Sequence, residues 1–139
     1  MRFLIAAYLV VLPTLVFSDT LDYWTVYLND SLIASYNLAS TNKSITLNRE
    51  LLSSKDTISV FYANDHPCTK CEYYFAAEDV KGGVKVHTDR VKRQFRLVYF
   101  PLSKLINFKT GNEFKFSVVE IAYKDGQTKY CPLFVLKIE

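Results

Sequence analysis

Short runs in which apolar and polar residues alternate, separated by turn residues about every ten positions, most strongly constrain the fold of this chain. In the first run, apolar Trp24, Val26 and Leu28 occupy every second position, which is the period of a strand with one buried face. About eight or nine such runs, with no long helical pattern, predict an all-β fold. We expect a two-layer antiparallel β-sandwich of immunoglobulin-like type, with a jelly roll or a small barrel as the alternative.

Turn residues mark where the predicted strands end. Asn29-Asp30-Ser31 predicts a hairpin turn between the first two strands, because short polar side chains there bond their own backbone. Gly82-Gly83 and Asp125-Gly126 predict two further hairpins. Residues 57–63 carry apolar groups on both faces and predict a central strand, which we expect to be antiparallel to the next run, residues 72–77.

Side-chain parity predicts which residues face the core later in the chain. Phe95, Leu97 and Tyr99 alternate with polar or smaller residues and are predicted to share the core face. The apolar parity then changes between Val118 and Val119, which predicts a bulge or a change of sheet at that point.

Two further predictions concern burial. Asn48 can cap one helical turn that places Leu51 and Leu52 against the core. Phe116 and Ile121, on either side of the parity change, are both predicted to be buried.

Residues 1–18 have the features of an export signal. Arg2 provides a positive start, residues 3–17 are almost entirely apolar, and Ser18 is the small residue before the expected cleavage point. The apolar run is about fifteen residues and contains Pro13, whereas a membrane-spanning helix needs roughly 20. We therefore expect one β-sandwich domain over residues 19–139, secreted or periplasmic, with no transmembrane span after cleavage.

The composition narrows the function classes. The formal net charge of +3 is too small to indicate a nucleic-acid partner. No serine, histidine and acid set carries a nucleophile motif, and no glycine-rich loop could bind phosphate. The sequence therefore predicts no catalytic residues and no cofactor.

Cys68 and Cys71 form the one constellation with possible chemistry, and three interpretations compete. The first is a local structural disulfide, favoured by the exported context and by the proximity of the two residues in one turn, with Cys131 left as a buried free thiol. The second is a thiol–disulfide oxidoreductase, in which one thiol attacks and the other resolves. Against it, residue 72 onwards predicts a strand, and no helix would lower the pKa of a thiol.

The third interpretation of the cysteine turn is a metal site. Two thiolates at this spacing suit tetrahedral zinc or a cuprous ion. A further ligand would come from Cys131, His66 or His87, none of which the sequence places nearby.

A basic cluster is the other candidate surface. It comprises Arg90, Lys92, Arg93 and Arg96, which could bind an acidic polysaccharide; a solvated hairpin edge that discourages strand pairing is the simpler interpretation. The residues at Asn29 and Asn42 also match the N-glycosylation pattern.

Four segments together resemble small exported bacterial proteins of uncharacterised function. They are YWTVYL at residues 23–28, KDTISV at 55–60, PCTKC at 67–71 and LFVLKI at 133–138. The resemblance implies an exported β-sandwich and carries no activity. We therefore expect a non-enzymatic module with a binding, adhesive or envelope-accessory role and a protein or acidic polysaccharide partner; the alternative is a redox or metal-handling protein that uses Cys68 and Cys71.

Overall fold

The computed structural model describes residues 21–81, 85–92, 96–106 and 112–139. Its strands are β1 (Tyr23–Leu28), β2 (Ser31–Asn37), β3 (Ser44–Leu47), β4 (Thr57–Ala63), β5 (Cys71–Asp79), β6 (Lys85–His87), β7 (Arg96–Pro101), β8 (Asn112–Ala122) and β9 (Thr128–Ile138). A 3₁₀ turn over Arg49–Leu51 and the short helix α1 (Leu102–Leu105) complete the described elements. The predicted signal, the Gly82-Gly83 turn and Phe95 lie outside the described residues.

Two sheets pack against each other. The front sheet has the strand order β2-β1-β4-β7, and the back sheet has the order β3-β9-β8-β5-β6. Every pair between these strands is antiparallel except β3 with β9, which is parallel. The predicted all-β, two-layer sandwich is confirmed.

The core lies between the inner faces of the two sheets. Trp24 and Ile58 of the front sheet are fully buried, as is Leu136 of the back sheet. Across the interior, Phe100 of β7 meets Phe116 of β8 edge-on, with ring centroids 5.0 Å apart. Each large apolar side chain removed from water in this way contributes about 1.5–3 kcal/mol, so this layer is the main source of stability.

The predicted pairing of the two strands that flank the cysteine turn is wrong. β4 lies between β1 and β7 in the front sheet, as expected of a central strand. β5 lies between β8 and β6 in the back sheet. Residues 64–70 therefore cross from one sheet to the other, and this connection is longer than most hairpin loops. Because residues 57–63 are apolar on both faces, their pattern does not indicate in which sheet the next strand lies.

The predicted core face of β7 is also wrong. Val98 and Phe100 are buried, whereas Tyr99 is 58% exposed and Leu97 is half-buried. Both parities of this strand are apolar, so alternation alone does not choose between them. The pairing with β4 decides the matter, because Val60 points into the core and stands opposite Val98.

The bulge predicted in β8 between Val118 and Val119 is absent, because the register of β8 with β5 is continuous and the extra residue lies in β9, where Leu133 is skipped in the pairing. β8 runs without a break, but its register with β9 shifts between Phe116 and Ser117. Phe116, Val118 and Val119 are buried, and Ile121 is half-buried. Apolar side chains of β8 are therefore covered on both faces of the back sheet.

The short 3₁₀ turn places one leucine, the half-buried Leu52 that follows it, against the core rather than two. The Asn48 side chain accepts a hydrogen bond from the Glu50 backbone N–H at 2.9 Å, which is the predicted cap. Leu52 packs against the core, but Leu51 is 82% exposed and the prediction for it is wrong. A 3₁₀ helix of a single turn has three residues per turn, so the side chains of Leu51 and Leu52 point in different directions.

The hairpin between β1 and β2 is fixed to the beginning of β4. Asn29 and Asp30 both have positive φ, at 48° and 67°, the conformation that tight hairpins require. The Asn29 side-chain oxygen accepts from the Thr57 backbone N–H at 2.9 Å, and its Nδ2 donates to Asp56 Oδ1 at 2.8 Å. One asparagine thus shapes the turn and ties it to the neighbouring strand.

Replacing Asn29 with alanine should lower the free energy of unfolding by about 1–3 kcal/mol, because alanine tolerates positive φ poorly and makes neither hydrogen bond. Urea denaturation measures the loss. Asn29→Gly is the matched control: it accepts positive φ but lacks the side-chain bonds, so it should lose less. An alanine variant with an unchanged urea midpoint would contradict this role.

Candidate functional site

The cysteine turn is closed by the predicted disulfide. Cys68 and Cys71 are bonded, with their Cα atoms 5.6 Å apart, a normal separation for a disulfide. Cys71 is the first residue of β5 and is 2% exposed, whereas Cys68 is half-buried. Cys131 is a free thiol, as predicted, and is half-buried.

Hydrogen bonds outside the disulfide hold the same turn. The hydroxyl of Tyr73, a buried residue of β5, donates to the Cys68 carbonyl at 2.9 Å. The Tyr123 backbone N–H donates to the Lys70 carbonyl at 3.0 Å. The backbone between the two cysteines is therefore anchored to the end of the back sheet without help from the sulfur atoms.

Glu120 is the functional candidate that sequence reasoning missed. In β8 it stands opposite Tyr73 of β5, and it shares the parity of Val118, a buried core residue. A carboxylate oxygen of Glu120 and the Sγ atoms of Cys68 and Cys71 all lie within 4.8 Å of one another. The sequence does place a carboxylate at a position with the parity of the core-facing residues. The predicted parity change after Val118 would have turned Glu120 outwards, so it was not identified as a candidate.

The ligands proposed from sequence lie elsewhere. The His66 side chain is 88% exposed, and its Nδ1 is 3.2 Å from Asp65 Oδ2. His87 packs edge-on against Tyr74, with ring centroids 5.4 Å apart. Within the described ranges, the structure groups Cys68 and Cys71 with Glu120 and does not bring His66, His87 or Cys131 into that group.

Cys131 belongs to a separate, partly buried polar cluster. The Tyr62 hydroxyl donates to Asp22 Oδ2 at 2.6 Å, and Cys131 lies beside that hydroxyl. Burial raises the pKa of the Cys131 thiol above its ordinary value. A thiol kept protonated in this way is a weak nucleophile, which argues against a nucleophilic role for Cys131.

The turn lacks the usual feature that activates a redox cysteine. Cys71 opens a strand, and no helix among the described elements begins at either cysteine. The field of a helix N-terminus, which lowers the pKa of many reactive thiols, is therefore not supplied here.

The basic cluster is only partly described. Arg90 is 63% exposed, and its Nη1 is 3.7 Å from Glu72 Oε2. Lys92 is exposed, Arg96 is the first residue of β7, and Arg93 lies outside the described residues. Anion binding at these four positions stays a prediction.

The outer face of the front sheet is aromatic, and its strands place no charged side chain there, but Asp30 of the β1–β2 turn lines its groove. Tyr23, Tyr99 and Leu32 are 46%, 58% and 59% exposed. The registers of the front sheet place thirteen side chains on this outer face: Tyr23, Thr25, Tyr27, Leu32, Ser35, Asn37, Thr57, Ser59, Phe61, Ala63, Leu97, Tyr99 and Pro101. A groove of about 270 Å³ crosses it, lined by Tyr27, Asp30, Ser59, Phe61 and Leu97.

Strand β2 borders this outer face and forms one edge of the sheet. Among the described strands it pairs with β1 alone. Its seven residues, Ser31–Asn37, include no charged side chain and no proline, the residues that usually protect an edge from pairing with another chain. Leu32 of β2 stands opposite Tyr27 of β1, so the edge and the outer face are continuous.

No described helix is long and apolar enough to cross a membrane. Comparisons with protein-family models, with curated proteins and with solved structures find no match for this chain.

Proposed function

We propose that this protein is an exported, non-enzymatic binding module of immunoglobulin-like architecture. An extended segment of a partner protein pairs with β2, and the side chains of that segment pack on the outer face of the front sheet. The observation that carries the proposal is the continuity between a strand edge that has no charged residue and no proline, with one bulge at Ile33, and an aromatic face on which the strands place no charged side chain.

The outer face has the chemistry of a protein interface. Aromatic residues are enriched in the buried centres of such interfaces, and charged residues other than arginine are depleted there. Tyr23 and Phe61 pack with ring centroids 6.2 Å apart, so part of this surface is already ordered. Ordered aromatic rings offer contact area at low entropic cost.

The β2 edge explains why the segment is extended. A strand at the edge of a sheet presents unpaired backbone N–H and C=O groups, and an extended peptide satisfies them by adding one more strand. Because the strands place no charged side chain on the neighbouring face and the one carboxylate at its groove is Asp30, the segment should carry no acidic residue there and should have apolar residues at alternate positions. Main-chain hydrogen bonds then supply affinity, and the groove beside Tyr27 supplies selectivity.

The Cys68–Cys71 disulfide agrees with the exported setting, because disulfides persist in oxidising compartments. The predicted signal at residues 1–18 is the sequence basis for export.

The test uses a short peptide selected on the purified protein from a displayed random library. Leu32→Lys should weaken binding of that peptide by at least about tenfold, because it places a charge on the contact surface. Leu51→Lys is the matched control, since Leu51 is also an exposed leucine but lies in the 3₁₀ turn. Hydrogen exchange should show that the peptide protects the backbone amides of β2.

Three results would overturn the proposal. One is equal affinity of the two lysine variants, and another is protection confined to β3 or β6, the edges of the back sheet. The third is protection of β2 that depends on protein concentration alone, which would identify a second copy of this chain as the occupant.

A further inference from the structure

The Glu120 carboxylate makes no hydrogen bond or ion pair that would stabilise the described part of the fold. It occupies a core-facing position at the end of the back sheet and is half-buried. No hydrogen bond or ion pair joins it to another described residue, although partly burying an unpaired carboxylate costs free energy. What it faces is the pair of sulfur atoms of Cys68 and Cys71.

We propose that Cys68, Cys71 and Glu120 form a binding site for one thiophilic divalent cation, of which Zn²⁺ is the best match, and that reduction of the disulfide opens this site. The oxidised protein binds no cation there, because a disulfide offers no thiolate.

The donor set fits zinc. Zn²⁺ takes thiolate sulfur at about 2.3 Å and carboxylate oxygen at about 2.0–2.2 Å, in a tetrahedral arrangement. In such an arrangement neighbouring donor atoms lie roughly 3.5–3.8 Å apart, as follows from those bond lengths. The three donors are within 4.8 Å of one another in the structure, so small side-chain rotations suffice.

The opening step is an ordinary thiol–disulfide exchange. A dithiol reductant breaks the Sγ–Sγ bond, gives up two electrons and two protons, and becomes a disulfide. Cys68 and Cys71 are left as thiols. When Zn²⁺ binds, the two thiols release those two protons to the solvent, as metal coordination by cysteine requires.

The turn should keep its shape when the disulfide opens. The Tyr73 hydroxyl still holds the Cys68 carbonyl, and the Tyr123 N–H still holds the Lys70 carbonyl. The cost of organising the ligands is therefore largely met by the fold, which favours binding. Three protein ligands leave the fourth tetrahedral position to water.

The test titrates Zn²⁺ calorimetrically into protein that has been reduced and desalted without oxygen. Reduced protein should bind one Zn²⁺, and oxidised protein should bind none. Glu120→Gln should weaken binding by at least about tenfold, since loss of even an outer-shell partner costs 10–100-fold. Glu72→Gln is the matched control, because Glu72 lies on the neighbouring strand of the same sheet, opposite Ile121, and faces the other way. The Glu72→Gln and Cys131→Ser variants should both bind Zn²⁺ with the affinity of wild type.

Zinc X-ray absorption of the zinc-loaded wild-type protein identifies the ligand atoms directly. This measurement does not require any variant to fold. The proposal requires two sulfur ligands with oxygen or nitrogen completing the shell. Three sulfur ligands would bring in Cys131 and overturn the assignment. Equal affinity of Glu120→Gln and Glu72→Gln, or zinc binding without reduction, would overturn it as well.

Discussion

Replacing Phe100 with alanine should lower the free energy of unfolding by about 3–5 kcal/mol. Phe100 is 1% exposed, and its ring meets Phe116 of the opposite sheet edge-on. Phe116 in turn stacks on Phe134, with centroids 4.5 Å apart. Removing Phe100 opens a cavity at the contact between the two sheets that a rigid β-sandwich cannot close.

Tyr99→Ala is the matched control, because Tyr99 is the preceding residue on the same strand and points outwards. Its replacement should change stability by no more than about 0.5 kcal/mol. Urea denaturation of both variants compares the two faces of β7 directly. A larger loss for Tyr99→Ala than for Phe100→Ala would show that β7 presents the opposite face to the core.

The protein should lose stability steeply at alkaline pH because of Tyr62. Burial, and secondarily the hydrogen bond to Asp22, raise the pKa of Tyr62 well above the ordinary value of 10.0. The folded state therefore favours the protonated phenol, and this contribution is fully present below about pH 10. As the pH rises further, the unfolded chain releases the proton and the folded chain does not. Stability therefore falls as the pH rises above about 10.

Tyr62→Phe should flatten this alkaline dependence and cost about 1–2 kcal/mol at neutral pH, where the hydrogen bond to Asp22 is lost. Burial also raises the pKa values of Tyr36 and Tyr74, so a smaller slope should remain. Denaturation midpoints measured from pH 8 to 11 give the comparison, with Tyr99→Phe as the exposed control. If wild type and Tyr62→Phe lose stability in parallel, Tyr62 is not the group responsible.

The order of strands and turns could be predicted because it depends on local chemistry. The Asn29-Asp30 turn, the cap at Asn48 and the central position of β4 all follow from residue types and alternation. The disulfide could be predicted as well, since its two cysteines share one turn.

The features that were predicted wrongly or missed depend on which strands pair with one another. Leu97 and Tyr99 could not be assigned to the outer face from sequence, because they are as apolar as Val98 and Phe100 on the opposite face of the strand. Alternation alone therefore does not show which pair faces the core. Glu120 could not be placed beside the cysteines, because that contact needs the register of β5 against β8, which no local pattern contains. The aromatic face and the candidate metal site both arise from such long-range pairing.

The parallel pairing of β3 with β9 has a consequence for how the chain folds. Ser44 pairs with Val135, and in the described sheet β3 has no other neighbour. Contacts between residues so distant in sequence are slow to form, since a long loop must close before they contribute free energy. Until residues 135–138 are available, β3 stays without a partner and the inner layer lacks Leu136 and Ile138. The topology thus delays completion of the fold until β9 can pair.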